Sequence, residues 1–111
     1  GIRLVYATDT RPCAALEHAA LGADLLICDA TYARPEDAEK AAQYGHSTFG
    51  ESAALAARAG AARLWLTHYS ASVTDPAGAL AAARAAFPAA QAGFDGLHTV
   101  LEYPRAETPR P

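Results

Sequence analysis

Asp24-Leu25-Leu26-Ile27-Cys28 is a short, nearly unbroken apolar run that stops on Asp29. Its length and flanks fit a strand covered on both faces of a parallel sheet. Upstream, Ile2–Tyr6 reads as a second strand, and Arg11-Pro12 opens a helix that runs to about Leu21 and closes at Gly22. Downstream, Thr31–Pro35 is a loop, and Pro35 is placed to start a helix over Glu36–Tyr44. Thr48 with Glu51 three residues on forms the signature of a capping box, opening a helix over Phe49–Ala59 that Gly60 ends. Arg63–Thr67 is the next strand. Asp75-Pro76 then begins a helix over Ala77–Phe87, stopped by Pro88. Gln91–Phe94 is a weak strand, and Leu97–Tyr103 alternates with period two, as a half-exposed edge strand would. Strands alternating with helices predict an α/β fold with a mixed, mostly parallel sheet and helices packed on it. Residues 1–103 read as one domain and 104–111 as a tail.

Composition narrows the function classes. The chain has 111 residues, 51% hydrophobic and 19% charged, with a formal net charge of −3. That is a soluble, globular composition with no global attraction for nucleic acid. No run approaches the ~18 uninterrupted apolar residues of a membrane span, and no signal-peptide layout opens the chain, so a cytoplasmic protein is expected without a membrane partner. Cys13 and Cys28 are not at CxxC spacing and read as free, buried thiols. The chain has no Met and starts at Gly1, which leads us to expect a piece of a longer protein.

Acid and imidazole groups recur where strands stop. Asp9 follows the first strand, Asp29 the second and His68 the third, while His46 sits in the Gly45-His46-Ser47-Thr48 turn. In open α/β sheets, ligands and catalytic groups gather beyond the carboxyl ends of the strands. Asp9 fits a metal ligand oriented by neighbouring hydroxyls such as Thr10, or else a turn or cap aspartate. His68 fits a metal ligand or a loop histidine. Asp29 and His46 can meet as a carboxylate–imidazole pair acting as a proton donor, or else serve separately as a loop cap and a helix-start residue. His18 and His98 lack partners at useful spacing and read as structural or solvated. Trp65 and Phe87 read as core, and Arg63 and Arg84 as surface groups.

Taken together, these segments resemble the C-terminal half of ribonuclease Z, the metallo-β-lactamase-fold endonuclease family that processes tRNA 3′ ends. Tyr6-Ala7-Thr8-Asp9-Thr10-Arg11-Pro12 is similar to the family's Ser-Gly-Asp-Thr-Arg/Gly-Pro segment. Leu26–Tyr32 is similar to its His-Glu-Ala-Thr segment, with Cys28 and Asp29 in place of His and Glu. His46-Ser47-Thr48 is its His-Ser-Thr unchanged, and Leu66-Thr67-His68-Tyr69-Ser70 is similar to Leu-Thr-His-Phe-Ser. Ala92–Leu97 resembles the closing Ala-x-Asp loop and brings Asp95 in as a supporting residue beside Thr10, Ser47 and Thr48.

The resemblance implies half of an αββα sandwich and a zinc-dependent phosphodiesterase, with two Zn2+ per complete site and a metal-activated hydroxide attacking phosphorus. Asp9 and His68 would be metal ligands, and His46, oriented by Asp29, the proton donor to the leaving oxygen. The implied substrate is precursor tRNA or other RNA. With histidines only at positions 18, 46, 68 and 98, the family's His-x-His-x-Asp-His motif is missing, and two ligands fall short of the three or four that zinc uses. The chain alone is therefore expected to be inactive and to dimerise or pair with a missing N-terminal half. Two alternatives stay open: another hydrolase of the same fold acting on cyclic nucleotides or small phosphodiesters, and a non-catalytic interaction module.

Overall fold

The structure, a computed structural model, describes residues 1–102. The expected tail and the last residue of the Leu97–Tyr103 run lie outside the described residues. Four strands, β1 (Leu4–Ala7), β2 (Leu25–Asp29), β3 (Leu64–Thr67) and β4 (Gln91–Ala92), form one sheet in the order β1-β2-β3-β4. Every pairing is parallel, with Tyr6 beside Ile27, Ile27 beside Trp65 and Trp65 beside Gln91. The expected mixture of directions is absent among the described strands.

Each crossover steps to the next strand in the same sense, and right-handed crossovers of that kind put all the helices on one sheet face. These helices are α1 (Ala14–Ala19), α2 (Ala38–Tyr44), α3 (Phe49–Ala59) and α4 (Ala81–Ala86). Helix α3 is the central one, packing on β2 and β3 between α1 and α4. Its Phe49, Ser52, Ala53, Ala56 and Ala59, at helical spacing, are buried. They meet a core that includes Leu26, Cys28, Leu64 and Leu66 from alternate strand positions. The expected capping box is present: Glu51 N donates to Thr48 Oγ1 at 3.2 Å and Thr48 N to Glu51 Oε1 at 3.0 Å. Gly60, at φ +68°, closes the helix in the left-handed conformation that glycine adopts at low cost.

On the other sheet face, Leu4 and Tyr6 are 56% and 67% exposed, Ile27 and Trp65 are only partly covered, and nearby Phe94 is 68% exposed. Trp65 is therefore a sheet-face residue and not core.

Several expectations need correction. Leu97–Glu102 forms no strand, because a period-two pattern becomes one only where a neighbour offers backbone partners, and β4 beside it is two residues long. Helix α1 begins at Ala14, three residues after Arg11, whose side chain is committed elsewhere. The Ala77–Phe87 helix is a 3-10 turn, Ala77–Ala79, followed by α4. Both cysteines are free, but Cys13 is exposed and only Cys28 is buried.

Candidate active site

Asp29 ends β2 and is fully buried, with no exposed surface. A buried carboxylate has to be surrounded by donors, and here the chain supplies them from three segments. Thr31 gives its backbone N–H at 3.1 Å and its hydroxyl at 2.9 Å to Oδ1. Ser47 N–H also donates to Oδ1, at 3.2 Å, and Thr10 N–H donates to Oδ2 at 3.2 Å. Burial alone would raise this carboxyl's pKa. The bonds from His46, Thr31 and Ser47 overcome it and hold the group below the ordinary carboxylate value of 3.8.

Two imidazoles face the same oxygen. His46 Nδ1 lies 3.1 Å and His68 Nδ1 3.3 Å from Asp29 Oδ2, and the ring centroids stand 5.3 Å apart. An ionised carboxylate only accepts, so each ring turned toward it carries its proton on Nδ1. That leaves each Nε2 pointing away with a free lone pair, since no hydrogen bond among the described residues reaches it. Asp9 Oδ1 lies 3.4 Å from His46 Nδ1, with its side chain 73% exposed.

The four side chains Asp9, Asp29, His46 and His68 thus stand together at the carboxyl end of the sheet. Asp9 caps no helix: the residue flanking α1 is Cys13. Asp9 at φ 54° and His68 at φ 64° are the non-glycine residues with positive φ among those described. Side chains rarely adopt that conformation, and it costs on the order of 1–3 kcal/mol unless surrounding contacts impose it. For His68 the contacts are visible. Thr31 Oγ1 reaches its carbonyl at 3.0 Å, Ser70 N–H bonds Thr31 O at 2.8 Å, and the next residue, Tyr69, is anchored by its hydroxyl between Leu66 O and Gly93 O. Burial pushes the Tyr69 phenol up to about 12.

The expected supporting residues divide. Thr48 spends its bonds on Glu51 in the cap of α3, and Thr10 and Ser47 belong to the cluster, Ser47 Oγ bonding Thr10 O at 2.8 Å. Asp95 does not: it is exposed on a groove of about 560 Å3 that it shares with His68, Trp65 and Phe94, and no hydrogen bond among the described residues ties it to the four. His18 and His98 lie outside the cluster and are exposed.

Sequence reasoning missed three residues that hold the site. Thr31 touches Asp29 and His68 together. Ser52 bonds the Asp29 carbonyl through its hydroxyl, with Cys28 Sγ 3.5 Å away. Arg11 reaches the His46 carbonyl at 2.7 Å. Only Thr31 had a readable signal, a hydroxyl two residues after an aspartate.

The donor set suits a transition metal of borderline softness. Asp29, His46 and His68 each offer a ligand atom, all within 4.8 Å of one another. Asp29 already accepts four hydrogen bonds, so it serves better as the group that orients the histidines than as a ligand.

A sheet with helices on one face and acid and imidazole groups at its carboxyl edge matches a known class. The beta-lactamase superfamily domain matches residues 1–69, and the chain belongs to that superfamily. It is similar to ribonuclease Z of Lachnoclostridium phytofermentans, 42% identical over 96% of this chain and 35% of that protein, and to ribonuclease Z of Salinibacter ruber, 44% identical over 100% and 34%. The chain thus spans about a third of the length of the curated relatives it matches. Among solved structures it resembles the metallo-beta-lactamase fold protein YhfI of Bacillus subtilis, with TM-score 0.72, 25% identity, and coverage of 85% of this chain and 38% of that one. A diphosphatase from the PhnP family gives TM-score 0.66 at 25% identity, over 91% and 36%. The fold is a portion of the metallo-β-lactamase fold, as the segment resemblance implied. No helix among the described residues is long and apolar enough to cross a membrane.

Proposed function

We propose that this chain carries one part of the active site of a zinc-dependent phosphodiesterase of the ribonuclease Z type, which removes 3′ trailers from precursor tRNA endonucleolytically. The observation that carries the reading is the meeting of Asp9, Asp29, His46 and His68 on one edge, in a chain about 40% identical to proteins of that name. Asp9 and His68 would hold metal, Asp9 through its exposed carboxylate and His68 through its free Nε2. Bound zinc would supply Lewis acidity and an activated water. His46, once its Nε2 has taken up a proton to make the imidazolium, would give that proton to the departing sugar oxygen, while Asp29 keeps the other ring proton on Nδ1 and fixes the ring's aim.

Two ligands are too few for zinc. The other ligands, and the second of two zinc ions, would depend on the two thirds of the relatives' length that this chain does not span. By itself the chain would then be inactive. The uncovered face of Leu4, Tyr6, Ile27 and Trp65 would pair with that remainder or with a second copy of the chain. A role in tRNA processing would put the protein in the cytoplasm.

A second reading is hydrolysis of a small phosphodiester or diphosphate, favoured by the likeness to the PhnP-family diphosphatase. Turnover of precursor tRNA and of a cyclic nucleotide by the complete protein, each with zinc and with chelator, separates the two. Chelator-sensitive cleavage at the 3′ trailer is expected. Turnover of the cyclic nucleotide alone would favour the second reading, and zinc-independent cleavage would contradict both.

A further inference from the structure

Asp9 and His46 sit on different turns, one between β1 and α1 and the other between α2 and α3, so something has to fix their separation. Asp29 holds the His46 ring and accepts from the Thr10 and Ser47 amides, and Ser47 Oγ bonds Thr10 O. These bonds join the two turns through Ser47, and the carbonyl of His46 itself is gripped by Arg11. A guanidinium is a rigid fork of donors matched to a carboxylate, and both of its arms are used here. Arg11 Nη1 and Nη2 donate to Glu51 Oε1 and Oε2 at 2.9 and 3.1 Å, and Nη1 also donates to the His46 carbonyl at 2.7 Å. Glu51 is itself fixed, since its Oε1 accepts from Thr48 N in the capping box of α3. The path runs from the first turn of α3 through Glu51 to Arg11, two residues from Asp9, and on to the carbonyl of His46.

We propose that Arg11 is a positioning residue for His46: its fork, braced on Glu51, holds the His46 backbone so that the ring stands between Asp29 and Asp9. The inference rests on the reading of His46 as proton donor, but its geometry does not depend on the substrate. A plain stabilising ion pair is the rival explanation, and the chain contains a control for it. Arg58 at the other end of α3 donates to Glu17 of α1 at 2.8 Å, tying the same segments together away from the site.

The decisive comparison sets R11A, R11K and E51Q against R58A. Nitrogen-15 imidazole spectra of the chain, at a pH where the rings are neutral, report the His46 tautomer, and melting temperature reports stability. In the complete protein, kcat and KM are measured on a phosphodiester. Arg11→Ala is expected to turn the single Nδ1–H signal of His46 into a mixture of tautomers and to lower kcat roughly 10- to 100-fold, with KM nearly unchanged. Arg11→Lys keeps the charge without the fork and is expected to behave like Arg11→Ala. Glu51→Gln keeps an amide oxygen for the Thr48 cap and is expected to shift His46 the same way by less, which preserves the test if Arg11→Ala fails to fold. Arg58→Ala is expected to lower the melting temperature and to leave His46 and kcat alone. An unchanged His46 signal in all three site variants, full rescue by Arg11→Lys, or equal His46 effects from Arg58→Ala would overturn the proposal. If the wild-type protein turns over no phosphodiester, the functional reading falls, while the His46 spectra still decide the role of Arg11.

Discussion

Asp29 carries more of the site than any other residue. It accepts from Thr10, Thr31 and Ser47 and faces both histidines, without a solvent-exposed atom to absorb an error. Asp29→Asn replaces an acceptor by a donor against groups that all donate, and such a substitution costs about 2–4 kcal/mol. We expect a lower melting temperature, together with turnover reduced by at least as much as in His46→Ala. Thr31→Val removes the hydroxyl that touches Asp29 and His68, and Thr31→Ser should restore most of what is lost. Equal melting temperatures for Thr31→Val and wild type would remove Thr31 from the account. The strand-end positions of Asp9, Asp29 and His68 were legible because an apolar run has a visible end and a parallel sheet gathers such ends. Arg11 was not, because its partner lies 35 residues away, which no local pattern encodes, and for Thr31 only the bond to Asp29 two residues back was local, while the contact with His68 spans 37 residues. Asp95 shares a groove with His68 without a hydrogen bond to the four among the described residues, and its place in a loop says nothing of which way it faces.

At the scale of the elements, α3 was the most legible, with its observed bounds equal to those read from Thr48, Glu51 and Gly60. Its ends are set by local chemistry, a reciprocal cap and a left-handed glycine, so local sequence sufficed. Thr48→Ala should cost about 1 kcal/mol, read as a lower melting temperature. The edge-strand reading of Leu97–Tyr103 failed over its described part for the opposite reason, since a strand needs a neighbour and the pattern does not supply one.

Glu51 also makes acid stability predictable. Burial raises its pKa, but the bonds from Arg11 and Thr48 prevail and hold the carboxyl below the ordinary 4.5. The unfolded chain therefore takes up its proton first on acidification. This contribution is complete above about 4.5 and is lost as the pH falls through the lower, folded value. Melting temperature followed from about pH 6 to about pH 3 should fall less steeply in Glu51→Gln than in wild type. Parallel curves would show that Glu51 is not held low in the folded state.

For the molecule as a whole, the sheet order explains both the site and the uncovered face. Stepping from β1 to β4 in one direction puts all the helices on one side and leaves Tyr6, Ile27 and Trp65 on the other. An exposed apolar face of this kind favours association. Light scattering at rising concentration should show self-association, which Tyr6→Lys reduces. A monomer at high concentration would contradict a partnered face. The alternation of strands and helices was legible in the residues, whereas the openness of this face followed only from the implied half-sandwich, because Ile27 and Trp65 look the same in sequence whether a second layer covers them or not.

The central claim, that Asp9, Asp29, His46 and His68 form one metal-assisted site with divided roles, is tested most directly by zinc-dependent melting of the complete protein. Metal bound to the folded state raises the melting temperature in proportion to its binding. We predict a zinc-induced rise in wild type that is largely lost in Asp9→Asn and His68→Gln and largely kept in His46→Gln, although His46→Gln no longer turns over substrate. An equal rise in Asp9→Asn, His68→Gln and wild type would contradict the account.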